Sequence, residues 1–167
     1  MLTSHELFGF MSPALANDIL NFAYESDKPV YKATMNGVAT ALRVRPVYLE
    51  RQPRAQRHVS MAQILSRLGL DAVSGGLIRA WLVQKHKAML VDFLNTLGIP
   101  NKEGVVDDLP KEMDGAKLKS AIETLLAKYP PEIVAVYLNA FNDMNEANWT
   151  NLKTMLESDS RLQLGST

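Results

Sequence analysis

Apolar residues recur along most of this chain at steps of three and four, the spacing of one face of an α-helix. The longest such stretch is 71–97, DAVSGGLIRAWLVQKHKAMLVDFLNTL. One row holds Val73, Leu77 and Trp81; a second holds Ile78, Leu82, Met89, Phe93 and Leu97. Together they cover more than one face, which a helix tolerates only where neighbours pack most of its circumference. The pattern predicts one helix or two abutting ones here, with 77–97 as the central apolar helix of the fold. Asp71 is the expected N-cap. Gly98, Ile99 and Pro100 are the expected stop, with Gly98 left-handed and Ile99 against Leu94. Gly75-Gly76 leaves two readings: the helix starts after the pair, or another backbone packs closely against it.

The same period predicts the flanking elements. A short turn or helix covers His5–Phe10. Ser12-Pro13 opens a helix to about Glu25, and Ser26–Pro29 reads as a turn. A helix from about Pro29 to Leu42 follows. On it Ala33, Gly37 and Ala41 form a strip of small residues that lets a neighbour approach. A helical turn is expected at 47–51, and a helix from Pro53 that Gly69 ends, with Leu70 against Leu65. Residues 100–114 read as a long loop pinned by Val105, Val106 and Leu109. Helices are expected at about 115–128 and after Pro130-Pro131. Asn145 caps a last helix containing Trp149, Leu152 and Leu156. The tail RLQLGST reads as extended or disordered. No run alternates as a strand would. The expected fold is therefore all-α, a single domain over 1–167, with six to eight helices in a compact bundle around 77–97.

Composition adds exclusions. At 167 residues, 47% hydrophobic and 22% charged, the chain is of ordinary globular make-up. It has no cysteine, which removes disulfides, thiol catalysis and thiolate metal sites. The N-terminus lacks a basic segment followed by an apolar one, so the expectation is a soluble, cytoplasmic protein without a membrane span. No cofactor motif is present: no GxGxxG, no Walker loop, no HExxH and no GxSxG.

Charge sharpens the picture. The net charge is zero, yet residues 1–90 carry +5 and residues 91–167 carry −5. Most of the positive excess lies in 43–58, RVRPVYLERQPRAQRH, with five arginines, one histidine and one acid. Arg54, Arg57 and His58 share a helix face at i, i+3, i+4, and Arg43, Arg45 and Arg51 lie upstream. The planar guanidinium donors suit carboxylates and phosphates, and Tyr48 offers a stacking surface. Two roles follow for Arg43, Arg45, Arg51, Arg54, Arg57 and His58. The first is contact with protein acids, in the 103–114 loop, a second subunit or another protein. The second is binding of nucleic acid or a phosphate ligand. The leading expectation is a non-enzymatic interaction or regulatory module that binds a protein partner or itself. Nucleic-acid binding is the alternative. Small-molecule catalysis at His86, between Lys85 and Lys87 and near Asp92, comes third. Asp107-Asp108 as a cation site and Ser74-Gly75-Gly76 as an anion cradle are weaker than their structural readings as a solvated loop and a helix start.

Overall fold

The computed structural model describes residues 1–165 and is all-α. Among the described residues there are ten α-helices, two short 3-10 turns and no strand; a lone antiparallel bridge joins Lys102 and Val105. The number exceeds the six to eight expected because α1 and α4 are very short and because the central stretch divides. No described helix is long and apolar enough to cross a membrane. The final Ser-Thr of the tail lies outside the described residues.

The chain falls into two compact units, Leu2–Trp81 and Leu82 onward with Met1. In the first, α1 spans Ser4–Phe10, α2 Pro13–Ser26, α3 Lys28–Leu42, α4 Pro46–Glu50 and α5 Arg54–Leu65. The Ser12 hydroxyl accepts from the Leu15 N–H, and Pro13 follows at the first helical position. Residues 26–29 are not a free turn. Asp27 caps α3 through its carboxylate and the Val30 N–H, with Pro29 inside the first turn. The strip of small residues on α3 has a definite function at Gly37. A Cβ there would stand 2.9 Å from a Val73 methyl, so α3 and α6 approach at a distance only glycine permits. Helix α5 lies against α1, α2 and α3. Leu7, Ile19, Leu20, Val38, Met61 and Leu65 fill the core between them.

Helix α5 ends at Leu65, earlier than expected. Gly69 does not act as a left-handed stop. Residues Leu68–Leu70 form a 3-10 turn, with Leu68 76% exposed, and α6, Asp71–Lys85, starts at once. Asp71 is its first residue rather than its cap. Its carboxylate accepts from the His5 backbone N–H at 3.0 Å and lies 2.7 Å from the His5 ring. These contacts hold the Asp71 carboxyl below its ordinary range. The Gly75-Gly76 pair lies inside α6. A Cβ at Gly75 would meet the Ser4 hydroxyl at 3.1 Å, whereas Gly76 has open space around it.

The central stretch is two helices, not one. Helix α6 stops at Lys85, His86 takes a non-helical conformation (φ −116°, ψ 29°), and α7 runs Lys87–Thr96. The apolar pattern explains the break. Leu77, Ile78, Trp81 and Leu82 are buried, and so are Met89, Leu90, Phe93 and Leu94, but none of residues 83–88 is. Where a continuous buried stripe needs an apolar residue, at 85 or 86, the chain has Lys and His. The boundary between the two units falls within α6, after Trp81, so an organising helix over 77–97 is not what the structure contains.

The second unit holds α7, α8 (Gly115–Lys128), α9 (Pro131–Asn145) and α10 (Thr150–Ser158). Helix α7 ends as expected: Gly98 has φ +73°, its N–H donates to Asn95, and the Ile99 N–H donates to the Leu94 carbonyl at 2.9 Å. Phe93, Tyr137 and Phe141 meet edge to face at 5.4–5.8 Å, and Trp149 tilts onto Phe141 at 5.1 Å. Asn145 is the last residue of α9 and does not cap α10; Trp149 occupies that place.

The 100–114 loop is held differently from the expectation, since Val105 is exposed and Val106 and Leu109 only half-buried. It is fixed by polar groups and one glycine. Glu103 and Gly104 both have positive φ in a tight turn closed by mutual Lys102–Val105 bonds. A Cβ on Gly104 would stand 2.8 Å from that of Leu90. Trp149 Nε1–H donates to the Pro110 carbonyl and Asn151 to that of Met113. The tail bends into a 3-10 turn at Ser160–Leu162 and buries Leu162.

Candidate anion- and partner-binding surface

The arginine-rich segment folds as two short pieces set by its prolines. Pro46 starts α4 at its first position, and Pro53 precedes α5. Arg43 takes the left-handed conformation (φ 57°) that turns the chain out of α3. Arg43, Arg45, Arg51 and Arg54 are exposed. Beside them Val47 and Tyr48 of α4 are 43% and 56% exposed, while Leu49 anchors α4 in the core. Within this unit Arg43, Arg45 and Arg51 have neither an ion pair nor a side-chain hydrogen bond, and Arg54 has one distant acid, Glu25, at 3.7 Å.

Arg57 and His58 are not on this surface. They are 8% and 1% exposed. The expectation grouped them with Arg54 as one outward face. The structure turns them inward, onto aromatic rings. The Arg57 guanidinium lies 5.8 Å from the ring centres of Tyr24 and Tyr31, and Arg54 stands 4.7 Å from Tyr24. Arg57 Nη1 donates to the Glu50 carbonyl at 3.3 Å. His58 Nε2 is 2.8 Å from the Tyr31 hydroxyl. Burial, aided by the charges of Arg57 and Arg54, pushes His58 down to about 4, so at neutral pH its imidazole is uncharged. Burial raises the Tyr31 phenol above its usual range, with Arg57 opposing. Tyr24 and Tyr31 are the members sequence reasoning missed. They lie on α2 and α3, 33 and 26 positions before Arg57, and no spacing rule links them to it.

A groove of about 510 Å³ runs along the other side of α5, lined by Phe8, Met11, Ala16, Ala55, His58 and Val59 among others. The remaining candidates resolve into structure. His86 is half-buried at the break between α6 and α7, and burial and Lys85 lower its pKa. A cavity of about 540 Å³ nearby is lined by Val83, Gln84, Lys87, Lys102, Glu103, Val105 and Asp107, without His86. Asp92 accepts from the Tyr129 hydroxyl at 2.6 Å and pairs with Lys128 of α8 at 3.5 Å. Asp107 and Asp108 are exposed, and among the described residues no group of three or more ligating side chains is placed to hold a metal ion. Ser74 is buried, its hydroxyl donating to the Leu65 carbonyl. No family model, no curated protein and no solved structure matches this chain.

Proposed function

We propose that the chain is a non-enzymatic interaction module that takes an acidic segment of a protein partner on the face formed by α4 and the start of α5. The observation that carries this is the set of exposed arginines, Arg43, Arg45 and Arg51, left without acids in their own unit around the exposed Val47 and Tyr48. Tyrosine and arginine are the residue types that dominate the energetics of protein interfaces. The unit Leu2–Trp81 carries nine Lys+Arg against six Asp+Glu, so its field attracts acidic partners. That excess is small for a nucleic-acid binder, and the apolar Val47 in the middle of the face suits a protein better than a phosphate backbone.

Labelled poly-L-glutamate provides the test. Its anisotropy should rise saturably with added protein. Arg45→Glu with Arg51→Glu should weaken binding at least tenfold, with Arg79→Glu, an exposed arginine of α6, as the control. Absence of binding, or tighter binding to duplex DNA with a steep salt dependence, overturns the reading.

A further inference from the structure

His58 is only 1% exposed, yet it lines the groove along α5. Its two ring nitrogens have different surroundings. Nε2 lies 2.8 Å from the Tyr31 hydroxyl of α3. Nδ1 is buried and has no hydrogen-bond partner among the described residues. The Nε2 edge is turned to α3, so the part of the ring left for the groove is the part that holds Nδ1. Buried polar atoms in folded chains are nearly always paired, and an orphan on a groove wall calls for a reason.

Counting protons fixes what Nδ1 is. The Tyr31 hydroxyl oxygen accepts from the Arg57 guanidinium. Its own proton then needs an acceptor, and His58 Nε2 stands at the right distance for it. Nε2 is therefore bare, and the neutral imidazole carries its proton on Nδ1. The groove wall thus holds a buried N–H donor without an acceptor.

The groove around that donor is apolar and open. Its α5 side is Ala55, His58, Val59, Ala62, Gln63 and Ser66, which recur at steps of three and four as one stripe. Val59 in the stripe is 61% exposed, while Phe8, Met11 and Ala16 on the opposite wall are buried. None of the described residues that line it carries a charge, although 22% of the chain is charged. An ion entering it would lose water and meet no counter-charge. An apolar body gains by covering the stripe. The volume of about 510 Å³ lies within the range of small-molecule sites, about 300–1,000 Å³.

We infer that the groove binds an uncharged, largely apolar small molecule whose carbonyl oxygen accepts from His58 Nδ1–H. A ketone, an ester or an amide supplies that oxygen. An alcohol fits less well, because its own proton would also need an acceptor. This site does not rest on the arginine face.

The experiment is a titration of the isotopically labelled full chain with three probes of one chain length: 2-decanone, 2-decanol and decanoate. The signals followed are the His58 ring nitrogens and the methyls of Met11 and Val59. The free chain should show the Nδ1–H tautomer. Saturable movement is expected with 2-decanone, weaker binding with 2-decanol and the weakest with decanoate. His58→Gln removes the Nδ1–H and should weaken the ketone about five- to tenfold, bringing it level with the alcohol. Val59→Asp, at an exposed position that leaves the core untouched, puts a charge on the groove and should weaken the ketone at least as much. Tightest binding of decanoate overturns the uncharged class. Equal binding of ketone and alcohol, unchanged by His58→Gln, overturns the role of His58. The Nε2–H tautomer overturns the carbonyl assignment. Movement of the same signals on dilution, without any probe, means that a second copy covers the groove and overturns the small-molecule reading, as does no movement with any probe.

Discussion

Arg57 and Arg161 make opposite use of the same side chain. Arg161, in the C-terminal unit, is half-exposed and held by two acids: Glu123 of α8, at 3.0 Å through Nη1, and Asp159 beside it, at 2.7 Å. Their carboxyls lie below the usual range and the guanidinium is raised in turn, because each hydrogen bond favours the charged form. Arg57, in the N-terminal unit, is buried and has no acid at all. A charge that water already solvates gains little from pairing. A charge removed from water without a counter-ion costs stability wherever it is kept. Arg161 is held by acids that water could replace; Arg57 is held by a carbonyl and two tyrosine rings that water does not reach.

That contrast can be broken or sharpened by measurement, and the largest effect should come from neither arginine. Phe141→Ala empties the centre of the aromatic cluster and should cost about 3–5 kcal/mol in denaturant unfolding. It sets the scale for what the cores contribute. Next is pH. The folded-state pKa of His58 is about 4, below the unfolded value near 6.5. Its neutral form therefore contributes fully above pH 6.5, and that contribution is lost as pH falls toward 4, by at most roughly 3 kcal/mol. His86 is shifted the same way and adds to the decline. Thermal melts across pH 4–7 should show the fall, and His58→Gln should flatten most of it.

Third is Arg57→Met. If the buried guanidinium lacks compensation, its removal should raise stability in denaturant unfolding, by about 1 kcal/mol. It should also reduce the pH effect, since Arg57 is one of the charges depressing His58. A marked loss of stability would mean that Arg57 is structurally satisfied and would remove the contrast. The smallest effect belongs to Arg161→Met: a slight fall in Tm that molar salt abolishes, as expected for an exposed ion pair.

Much of the helix plan was legible because local chemistry decides it. Ser12-Pro13, Pro46, Pro130-Pro131 and Gly98-Ile99 start and stop helices through geometry that belongs to a few adjacent atoms. Where a decision depended on distant groups, the local reading went astray. Asp71 looks like a cap, but the His5 backbone claims its carboxylate. The 77–97 helix looks continuous by period, but six positions without a buried side chain interrupt it at His86. The 43–58 segment announced its arginines. What it did not announce is which of them the fold turns inward. That depends on Tyr24 and Tyr31, three and two helices back along the chain.

The two tryptophans have an optical consequence. Trp81 closes the N-terminal unit and is 1% exposed; Trp149 lies in the C-terminal aromatic cluster and is 2% exposed. Each unit therefore carries one shielded indole that reddens and dims on meeting water. Trp81→Phe and Trp149→Phe leave one emitter apiece, and superimposing their two melting curves would reveal whether the chain comes apart in one event or by halves.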